Sequence, residues 1–479
     1  MGAEAHQDSE ARVPKINTAR TFSPASTLVV AVLGFFVVTF DAVVVNVALP
    51  TIRRELGGGI TGLQWVVDGY TLMFAALLLT AGSLSDRIGA KRAFGMGLSV
   101  FVVASAICGI SQSLPMLIIA RFAQGGAAAV MMPSSMALVG QAYPNHGRRA
   151  HALATWAMGG AIASSSAPIL GGLLTLVTWR LIFFVNIPVG AVALLLLAGT
   201  PTSPERSAPI DWLGQVLAVA AMGGLVFGAI EAGAWGLGSW PVVASLSLAT
   251  FGIVGLVIAE QRVNRPMLPP ALVRLPAVRI ASVIGFAFMA GYYGLPFMLS
   301  LYFQQLRGVS PLWTGVLFLP MFVIGLLLTP FSSRLAERFG TRVVVGGGLL
   351  TMTLGMVLMG LVVSPATPDW VLSVLMILVG IGGPLVIPMT TAHLLREAPA
   401  SEAGTASGIF NSGRQVGGAL AVAVFGALLA DRASFVHGQR VALFTAAALL
   451  ILAFSASLRI GASKSGDEQQ PIRKGVVNA

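Results

Sequence analysis

The sequence is poor in charged residues, cysteine and histidine. Charged residues make up 10% of its 479 residues, whereas soluble globular proteins contain about 25%. The single cysteine, Cys108, excludes an intrachain disulfide, and the five histidines are not spaced as a metal cluster. The phosphate-binding loop of nucleotide hydrolases, the H-E-x-x-H zinc motif and the G-x-S-x-G nucleophile elbow are missing. We therefore predict no metal site, no cofactor and no enzymatic activity, and ATP hydrolysis by this chain is excluded.

Apolar residues take the place of the missing charge. They make up 56% of the sequence, and the mean hydropathy is +0.85. Apolar runs of about 20 residues recur along the chain, which is long enough for helices to cross a hydrocarbon core of about 30 Å. They lack the alternation of polar and apolar residues that marks membrane β-barrel strands. The sequence therefore predicts an all-α integral membrane protein in contact with the lipid bilayer.

We predict fourteen membrane-spanning helices from these runs. Their approximate limits are 27–49, 63–83, 93–112, 115–140, 150–174, 179–199, 211–231, 240–260, 279–304, 311–331, 342–364, 369–393, 404–430 and 438–460.

The distribution of Lys and Arg predicts the orientation. With a cytoplasmic N-terminus, 21 of the 29 basic residues fall in cytoplasmic segments and six outside, and Arg121 and Arg414 fall within spans. Short cytoplasmic loops are enriched in basic residues, so both termini are predicted to be cytoplasmic. The net charge of +11 then reflects topology, and we predict no nucleic-acid partner. The basic, proline-rich segment 261–279 is either an interfacial linker on the cytoplasmic leaflet or a plain tether.

Two short loops repeat each other. GSLSDRIGAKR (82–92) follows span 2, and SSRLAERFGTR (332–342) follows span 10, at an offset of 251 residues. Spans 1 and 9 begin at nearly the same offset. The spacing predicts a repeated architecture, as in many secondary transporters. Its parts are a tail (1–26), a six-helix bundle (27–199), two extra helices with a cytoplasmic linker (200–278), a second six-helix bundle (279–460) and a tail (461–479).

Four ionisable side chains lie inside predicted spans at the depth of the hydrocarbon core. Burying a carboxylate such as Asp41 or Asp68 at this depth costs a few kcal/mol of free energy. This cost indicates that the two residues bind a proton, an ion or a cationic ligand. Arg121 needs an anionic or carbonyl partner, and Asp41 is the obvious candidate, in a dynamic or a static pair. Arg414 has no acid in its own span and either faces a cavity or binds carbonyl groups. Glu231 ends span 7 and is interpreted as a solvated helix end rather than a coupling site.

Several segments resemble motifs of the major facilitator superfamily. The loop GSLSDRIGAKR resembles its helix 2–3 signature, and FDAVVVNVALP (40–50) resembles the first-helix motif of its fourteen-helix drug:proton antiporter branch. ARFAQGGAAA (120–129), WRLIFFVNIPVG (179–190) and GIFNSGRQVGGALA (408–421) match further helices of that branch. In the helix-5 antiporter motif, Ala167 replaces a glycine. Within the branch the sequence is most similar to exporters of the methylenomycin-resistance kind.

The resemblance implies roles for individual residues. It implies proton coupling by Asp41, Asp68 and Arg121. The predicted substrate-binding residues are Asp68, Trp65, Tyr70, Tyr292, Tyr293, Phe297, Asn411 and Arg414, of which the aromatic ones could instead face lipid. The predicted conformational latch consists of Gly82, Asp86, Arg87, Gly89, Arg92, Glu337, Arg338 and Gly340, whose basic members could also serve topology alone. The predicted antiporter motif consists of Gly160, Pro168, Gly171 and Gly172, which could also serve only helix packing.

The expected function is proton-driven export of small amphipathic drugs or antibiotics by alternating access, in a bacterial plasma membrane. The proton gradient would supply the energy, and we predict a monomer. An importer or facilitator of a small metabolite on the same fold is the alternative. A membrane sensor or structural protein would not need two buried acids, a buried arginine and a duplicated loop.

Overall fold

The computed structural model describes residues 24–205, 211–262, 266, 268–399, 402–431 and 433–461. Most of both predicted tails and part of the predicted linker, including Met267, lie outside the described residues. The helices are α1 (Pro24–Leu56), α2 (Ile60–Ile88), α3 (Ala90–Ile110), α4 (Leu114–Ala142), α5 (His146–Val177), α6 (Leu181–Phe184), α7 (Asn186–Ala198), α8 (Trp212–Trp235), α9 (Trp240–Arg262), α10 (Pro270–Arg274), α11 (Pro276–Leu301), α12 (Pro311–Leu328), α13 (Ser332–Phe339), α14 (Thr341–Val362), α15 (Asp369–Glu397), α16 (Ala403–Leu428) and α17 (Phe435–Ser457).

Long apolar helices dominate the described part of the chain, and the predicted all-α membrane fold is confirmed. Twelve helices, some of them joined across short breaks, are long and apolar enough to cross a membrane, and α2 makes thirteen if its bent halves form one span. The further long helix is α16, which has 26 residues and carries Asn411, Arg414 and Gln415. Its polar side chains explain why composition alone does not mark it as a span. The structure is thus compatible with fourteen spans without confirming that number.

The helices pack in two groups with a hairpin beside them. The first group contains α1 to α7 and the second contains α11 to α17. The groups meet mainly where α2 packs on α16, where α5 packs on α12 and where α1 packs on α11. Helices α8 and α9 pack on each other, and α8 also packs on α2 and α16. This hairpin therefore lies against the junction of the two groups.

The duplicated loop has the same backbone conformation in both copies. Gly89 joins α2 to α3 with φ 84° and ψ 136°, and Gly340 joins α13 to α14 with φ 83° and ψ 147°. Such positive φ values suit glycine, because a Cβ atom would clash with the backbone. The repeated sequence thus produces a repeated turn.

Side-chain hydrogen bonds hold the two groups together at the end that carries the α1–α2 loop. Ser300 of α11 donates a 2.6 Å hydrogen bond to the carbonyl of Asn46 in α1. Beyond it, Arg53 donates a 2.7 Å bond to Gln305, which follows α11. At a second contact between the groups, Gly315 of α12 approaches the backbone of α5, where a Cβ atom added to this glycine would lie 2.2 Å from the carbonyl oxygen of Pro168. Only glycine allows this approach.

Candidate transport site

Asp41 and Arg121 form an ion pair inside the first group of helices. Nη1 of Arg121 on α4 donates to Oδ2 of Asp41 on α1. Both side chains are buried, at 1% and 0% exposure. A guanidinium at this depth needs an anion or hydrogen-bond acceptors, because it does not lose its proton in proteins. The pairing expected from the sequence is present, while its part in proton coupling stays a prediction.

Polar side chains from three helices surround this pair. Gln124 accepts a 3.0 Å hydrogen bond from Arg121 and donates a 3.2 Å bond to Asp41. Asn186, at the start of α7, donates a 3.0 Å bond to the same oxygen of Asp41. Both amides also donate to Ser105 of α3, over 2.7 and 3.3 Å. Because hydrogen bonding to a buried ion offsets part of its desolvation, this network makes a buried ion pair sustainable.

Tyr70 supports Arg121 from α2. The Arg121 Cζ atom lies 4.4 Å from the centroid of the Tyr70 ring, a distance at which an aromatic face attracts a cation. The Tyr70 hydroxyl donates a 3.0 Å bond to the carbonyl of Val38. The ring is 1% exposed. Tyr70 is predicted to line a substrate pocket, but in this structure its ring is enclosed between α1, α2 and α4.

Asp68 lies where α2 of the first group packs on α16 of the second. It shares a helix face with Gln64 and Ala75, which lie four residues before it and seven after it. Gln64 donates a 3.1 Å hydrogen bond to the carbonyl of Val422, and Ser412 donates a 3.4 Å bond to the carbonyl of Ala75. Asp68 is therefore bracketed by two bonds that join the groups.

The carboxyl group of Asp68 has few polar neighbours among the described residues. It is 0% exposed, and Thr71 donates a 3.2 Å hydrogen bond to its Oδ1 atom. Within the described residues, its Oδ2 atom has no hydrogen-bond partner and none of the four ion pairs includes it. The two membrane acids therefore differ: Asp41 is neutralised by an arginine, whereas Asp68 is not.

Helix α8 covers the junction beside Asp68. Trp65 donates a 2.9 Å hydrogen bond to Glu231, and Gln215 donates a 2.8 Å bond to the carbonyl of Ala76. Glu231 is 8% exposed, so its interpretation as a solvated helix end is wrong, because Trp65 and neighbouring side chains cover it. An apolar cluster joins the three helices here and consists of Leu72, Val226, Ile230, Ala419 and Ala423.

Arg414 lies on α16 at the face packed against α11. It donates a 2.9 Å hydrogen bond to Asn411. Tyr292 and Tyr293 of α11 are half-buried like Asn411 and Arg414, and their ring centroids lie 6.4 Å apart. These four predicted substrate-binding residues are therefore grouped in the second half of the structure.

Two other predicted pocket residues lie elsewhere. Phe297 is 0% exposed within an apolar cluster formed by residues of both groups. Trp65 packs beside α8, where its ring lies 6.1 Å from that of Phe122 and 5.8 Å from that of Phe227. The predicted position in a pocket does not match either residue in this structure, because sequence alone leaves the rotation of each helix about its axis undetermined.

The predicted latch contacts the segment that follows α7. The backbone nitrogen of Lys91 donates a 3.0 Å hydrogen bond to the hydroxyl of Ser203, and Arg92 pairs with Glu205. Asp86 and Arg87 are exposed. In the second copy of the loop, the guanidinium carbon of Arg338 lies 5.3 Å from the ring centroid of Phe339. The remaining predicted latch residues are Gly82 toward the C-terminal end of α2, Gly89 and Gly340 at the turns, and Glu337 on α13.

The predicted antiporter motif brings α5 close to helices of both groups. A Cβ atom added at Gly160 would lie 2.3 Å from the ring of Phe35, and one added at Gly171 would lie 2.7 Å from the side chain of Val44. Both of these neighbours are on α1. At Gly172 it would lie 2.7 Å from the backbone of α12. Small residues allow such close helix packing. Pro168 and Gly172 thus face the second group, whereas Gly160 and Gly171 face the first.

Reasoning from the sequence missed the residues that complete the Asp41 network. Gln124 and Asn186 lie inside segments that resemble family motifs, and Ser105, Gln64 and Gln215 lie in other predicted spans, but no role is predicted for any of the five from the sequence. The available signal was an amide inside an apolar run, since such groups need hydrogen-bond partners in the membrane.

The fold and this arrangement of buried polar residues are those of a transporter, and the family comparison agrees. A model of the Major Facilitator Superfamily matches residues 31–422 and 281–475. The chain belongs to the Major Facilitator Superfamily. It is a multi-pass membrane transporter and not an enzyme.

Its relatives include antibiotic resistance proteins. It is 34% identical over 443 residues to the methylenomycin A resistance protein of Bacillus subtilis, covering 90% of this chain and 94% of that protein. It is 34% identical over 413 residues to the methylenomycin A resistance protein of Streptomyces coelicolor, covering 85% and 86%. It is 33% identical over 440 residues to the tetracenomycin C resistance and export protein of Streptomyces glaucescens, covering 90% and 81%. The resemblance to the drug exporter branch is thus confirmed.

Solved transporters share the fold at lower identity. A POT family transporter in complex with 5-aminolevulinic acid has a TM-score of 0.68 at 15% identity, with coverage of 91% of this chain and 96% of that one. A peptide transporter POT in complex with sulfate has a TM-score of 0.67 at 19% identity, with coverage of 91% and 94%. These similarities concern the fold alone.

Proposed function

We propose that this protein exports small amphipathic drugs or antibiotics across a bacterial plasma membrane in exchange for protons. The names of its relatives, which include resistance and export proteins, support the substrate class and the direction of transport. The observation that carries the proton exchange is the position of Asp68, a fully buried carboxyl between the two groups of helices.

Asp68 is the proposed carrier of the exchanged proton. An unpaired carboxylate is far more costly to bury than a neutral carboxyl, and the described surroundings offer it one hydroxyl donor, Thr71. The closed arrangement of α2 and α16 therefore suits the protonated acid. Deprotonation would favour separation of the two helices, since water could then reach the carboxylate. Protonation and helix movement are thus coupled at this residue.

The pair of Asp41 and Arg121 has a different proposed part. Its charges balance each other within the first group, and its hydrogen bonds join α1, α3, α4 and α7. The pair therefore holds this group together as one body during transport. Proton exchange at Asp41 would require the pair to separate, which makes Asp41 the slower of the two acids to exchange.

Alternating access is the proposed motion. The described hydrogen bonds between the groups include those at the end that holds the α1–α2 loop, which the distribution of basic residues predicts to lie outside the cell. The structure then represents the state closed to the outside. Both termini would lie in the cytoplasm, and the latch loops would close that side in the opposite state.

Transport in reconstituted vesicles tests the proposal. An efflux-deficient bacterium that expresses the protein is first screened against a drug panel, with and without an uncoupler, to find an exported compound. Proteoliposomes with an imposed pH gradient should then exchange that compound against protons, and Asp68→Asn should abolish the exchange. Accumulation of the compound along the proton gradient would instead indicate an importer. Exchange that Asp68→Asn leaves intact would exclude Asp68 as the proton carrier.

A further inference from the structure

Arg414 lies deep in the second group of helices with unused hydrogen-bonding capacity. Nη1 donates a 2.9 Å bond to Asn411, and Nη2 lies 4.0 Å from the sulfur of Met289. Its guanidinium carbon lies 5.7 Å from the ring centroid of Phe410. Among the described residues, the Nε atom has no hydrogen-bond partner. A guanidinium has five N–H donors, so the donors of Arg414 are far from satisfied.

No carboxylate of the described chain neutralises Arg414. The four ion pairs there involve other arginines. Acids between residues 279 and 460 are confined to loops and the ends of helices: Glu337, Asp369, Glu397, Glu402 and Asp431. A cation at membrane depth without a counter-charge is costly and indicates a functional site.

The two acids inside the predicted spans of the first group do not supply the missing charge. Asp41 is already paired with Arg121. Asp68 lies on the face of α2 that packs on α16 near Ser412 and Val422. Arg414 follows Ser412 by two residues, which is about 200° around a helix. Arg414 therefore points away from α2, toward α11.

The space beside Arg414 lies between helices rather than in lipid. Helix α11 contacts α1 of the first group and α14, α15, α16 and α17 of the second, so it is surrounded by protein, and Tyr292 and Tyr293 on it are half-buried. Gly285 of α11 makes room for the arginine, since a Cβ atom there would lie 2.7 Å from the Arg414 Cγ atom. The guanidinium group of Arg414 thus lies beside aromatic side chains of α11 and α16.

We propose that Arg414 binds an anionic group, such as a carboxylate, of an amphipathic aromatic substrate. A carboxylate matches the planar fork of a guanidinium, and Asn411 orients that fork. The half-buried ring of Tyr292, which stacks on the buried ring of Phe288 with centroids 5.1 Å apart, supplies apolar surface beside it. The proposal names a substrate class for the exporter and so rests on the proposed function. It differs from one alternative that the membrane acids left open, use by a cationic ligand.

Binding of three matched probes to the purified full-length protein in detergent tests this site without a proton gradient. The probes are naphthoate, naphthamide and naphthylmethylammonium, which share one aromatic body and carry negative, zero and positive charge. Titration calorimetry at neutral pH should show that naphthoate binds most tightly. Arg414→Gln should weaken naphthoate about 10- to 100-fold, as expected for hydrogen bonds to a charged group, and leave naphthamide unchanged. Arg414→Lys should restore part of the preference.

Matched controls separate binding from folding and from proton exchange. Arg148→Gln removes an exposed arginine and should leave all three affinities unchanged. A preference for the ammonium probe, no measurable binding of naphthoate, or equal weakening of naphthoate and naphthamide by Arg414→Gln would each overturn the anion site. A protein that binds naphthoate through Arg414 but exchanges no protons in vesicles would contradict the proposed function alone.

Discussion

Arg121 donates to Asp41 at a point where both side chains are sealed inside the first group of helices. Two amides and a serine complete the hydrogen bonds around them. The pair is therefore a structural unit as well as a candidate site. Replacing one of its members should affect stability differently from replacing both.

Asp41→Asn should destabilise the protein because it leaves the Arg121 guanidinium buried without a counter-charge. Removing one partner of a buried ion pair typically costs about 3–5 kcal/mol. The double variant Asp41→Asn with Arg121→Met should recover most of that loss, since no uncompensated charge remains, but it should not recover transport. Thermal unfolding in detergent measures the stability, and vesicle exchange measures the transport. Equal stability of the single variant and the wild type would contradict this account of the pair.

Asp68→Asn should behave in the opposite way. The amide is neutral and similar in shape to the carboxyl, and no described cation loses a partner when the charge is removed. We expect unfolding temperature to be unchanged or higher, with proton exchange lost. The same two assays apply, and Asp68→Glu serves as the control that keeps a titratable group. A large loss of stability in Asp68→Asn would show that an ionised Asp68 has a partner essential to folding.

Trp65→Phe should loosen the contact between α8 and α2. The change removes the indole N–H that donates to Glu231 and leaves a buried acceptor unsatisfied, at a cost of about 1–3 kcal/mol. Trp212→Phe is the matched control, because Trp212 is 66% exposed and should tolerate the change. Hydrogen exchange of α8 amides should increase in Trp65→Phe and not in the control. Unchanged exchange in α8 would show that Glu231 has an equally good alternative donor.

Gly89→Ala and Gly340→Ala test the repeated turn. Both glycines have positive φ, so alanine should cost about 1–3 kcal/mol at either site. Gly89 should be the more sensitive, because its added Cβ would lie 3.0 Å from the carbonyl oxygen of Ser203, whereas nothing lies within 4 Å at Gly340. Thermal unfolding of the two variants measures the difference. A greater loss at Gly340 would contradict the close contact with Ser203.

Gly315→Ala should prevent the two groups from closing at the end with the α1–α2 loop. The added Cβ would lie 2.2 Å from the backbone oxygen of Pro168, whereas Gly223, the control, has nothing within 4 Å. The readout is labelling of a Ser300→Cys reporter by a membrane-impermeant maleimide in a Cys108→Ala background, since Ser300 lies between the closed groups. Labelling should become faster in Gly315→Ala only. Equal rates in both variants would show that the approach of α5 and α12 does not control opening.

Much of the fold could be predicted because a membrane helix is marked by its own residues. The predicted first span, 27–49, falls within α1, and the predicted spans 240–260 and 438–460 nearly coincide with α9 and α17. The pairing of Arg121 with Asp41 could also be predicted, since a buried cation needs an anion. Asn186 could not, because its approach to Asp41, 145 residues away, depends on how α7 packs beside α1.

The sequence by itself determined that this chain is an all-helical membrane transporter of the Major Facilitator Superfamily with a repeated turn, because hydropathy, glycine conformation and motif order are properties of local segments. Only the tertiary structure decided that Asp68 lies between the groups with no cation paired to it in the described part of the chain, that α8 covers that junction, and that Arg414 faces α11. Successive residues are about 100° apart around a helix. A small rotation of the whole helix about its axis therefore moves a polar side chain from one neighbouring helix to another, and the apolar run does not specify that rotation.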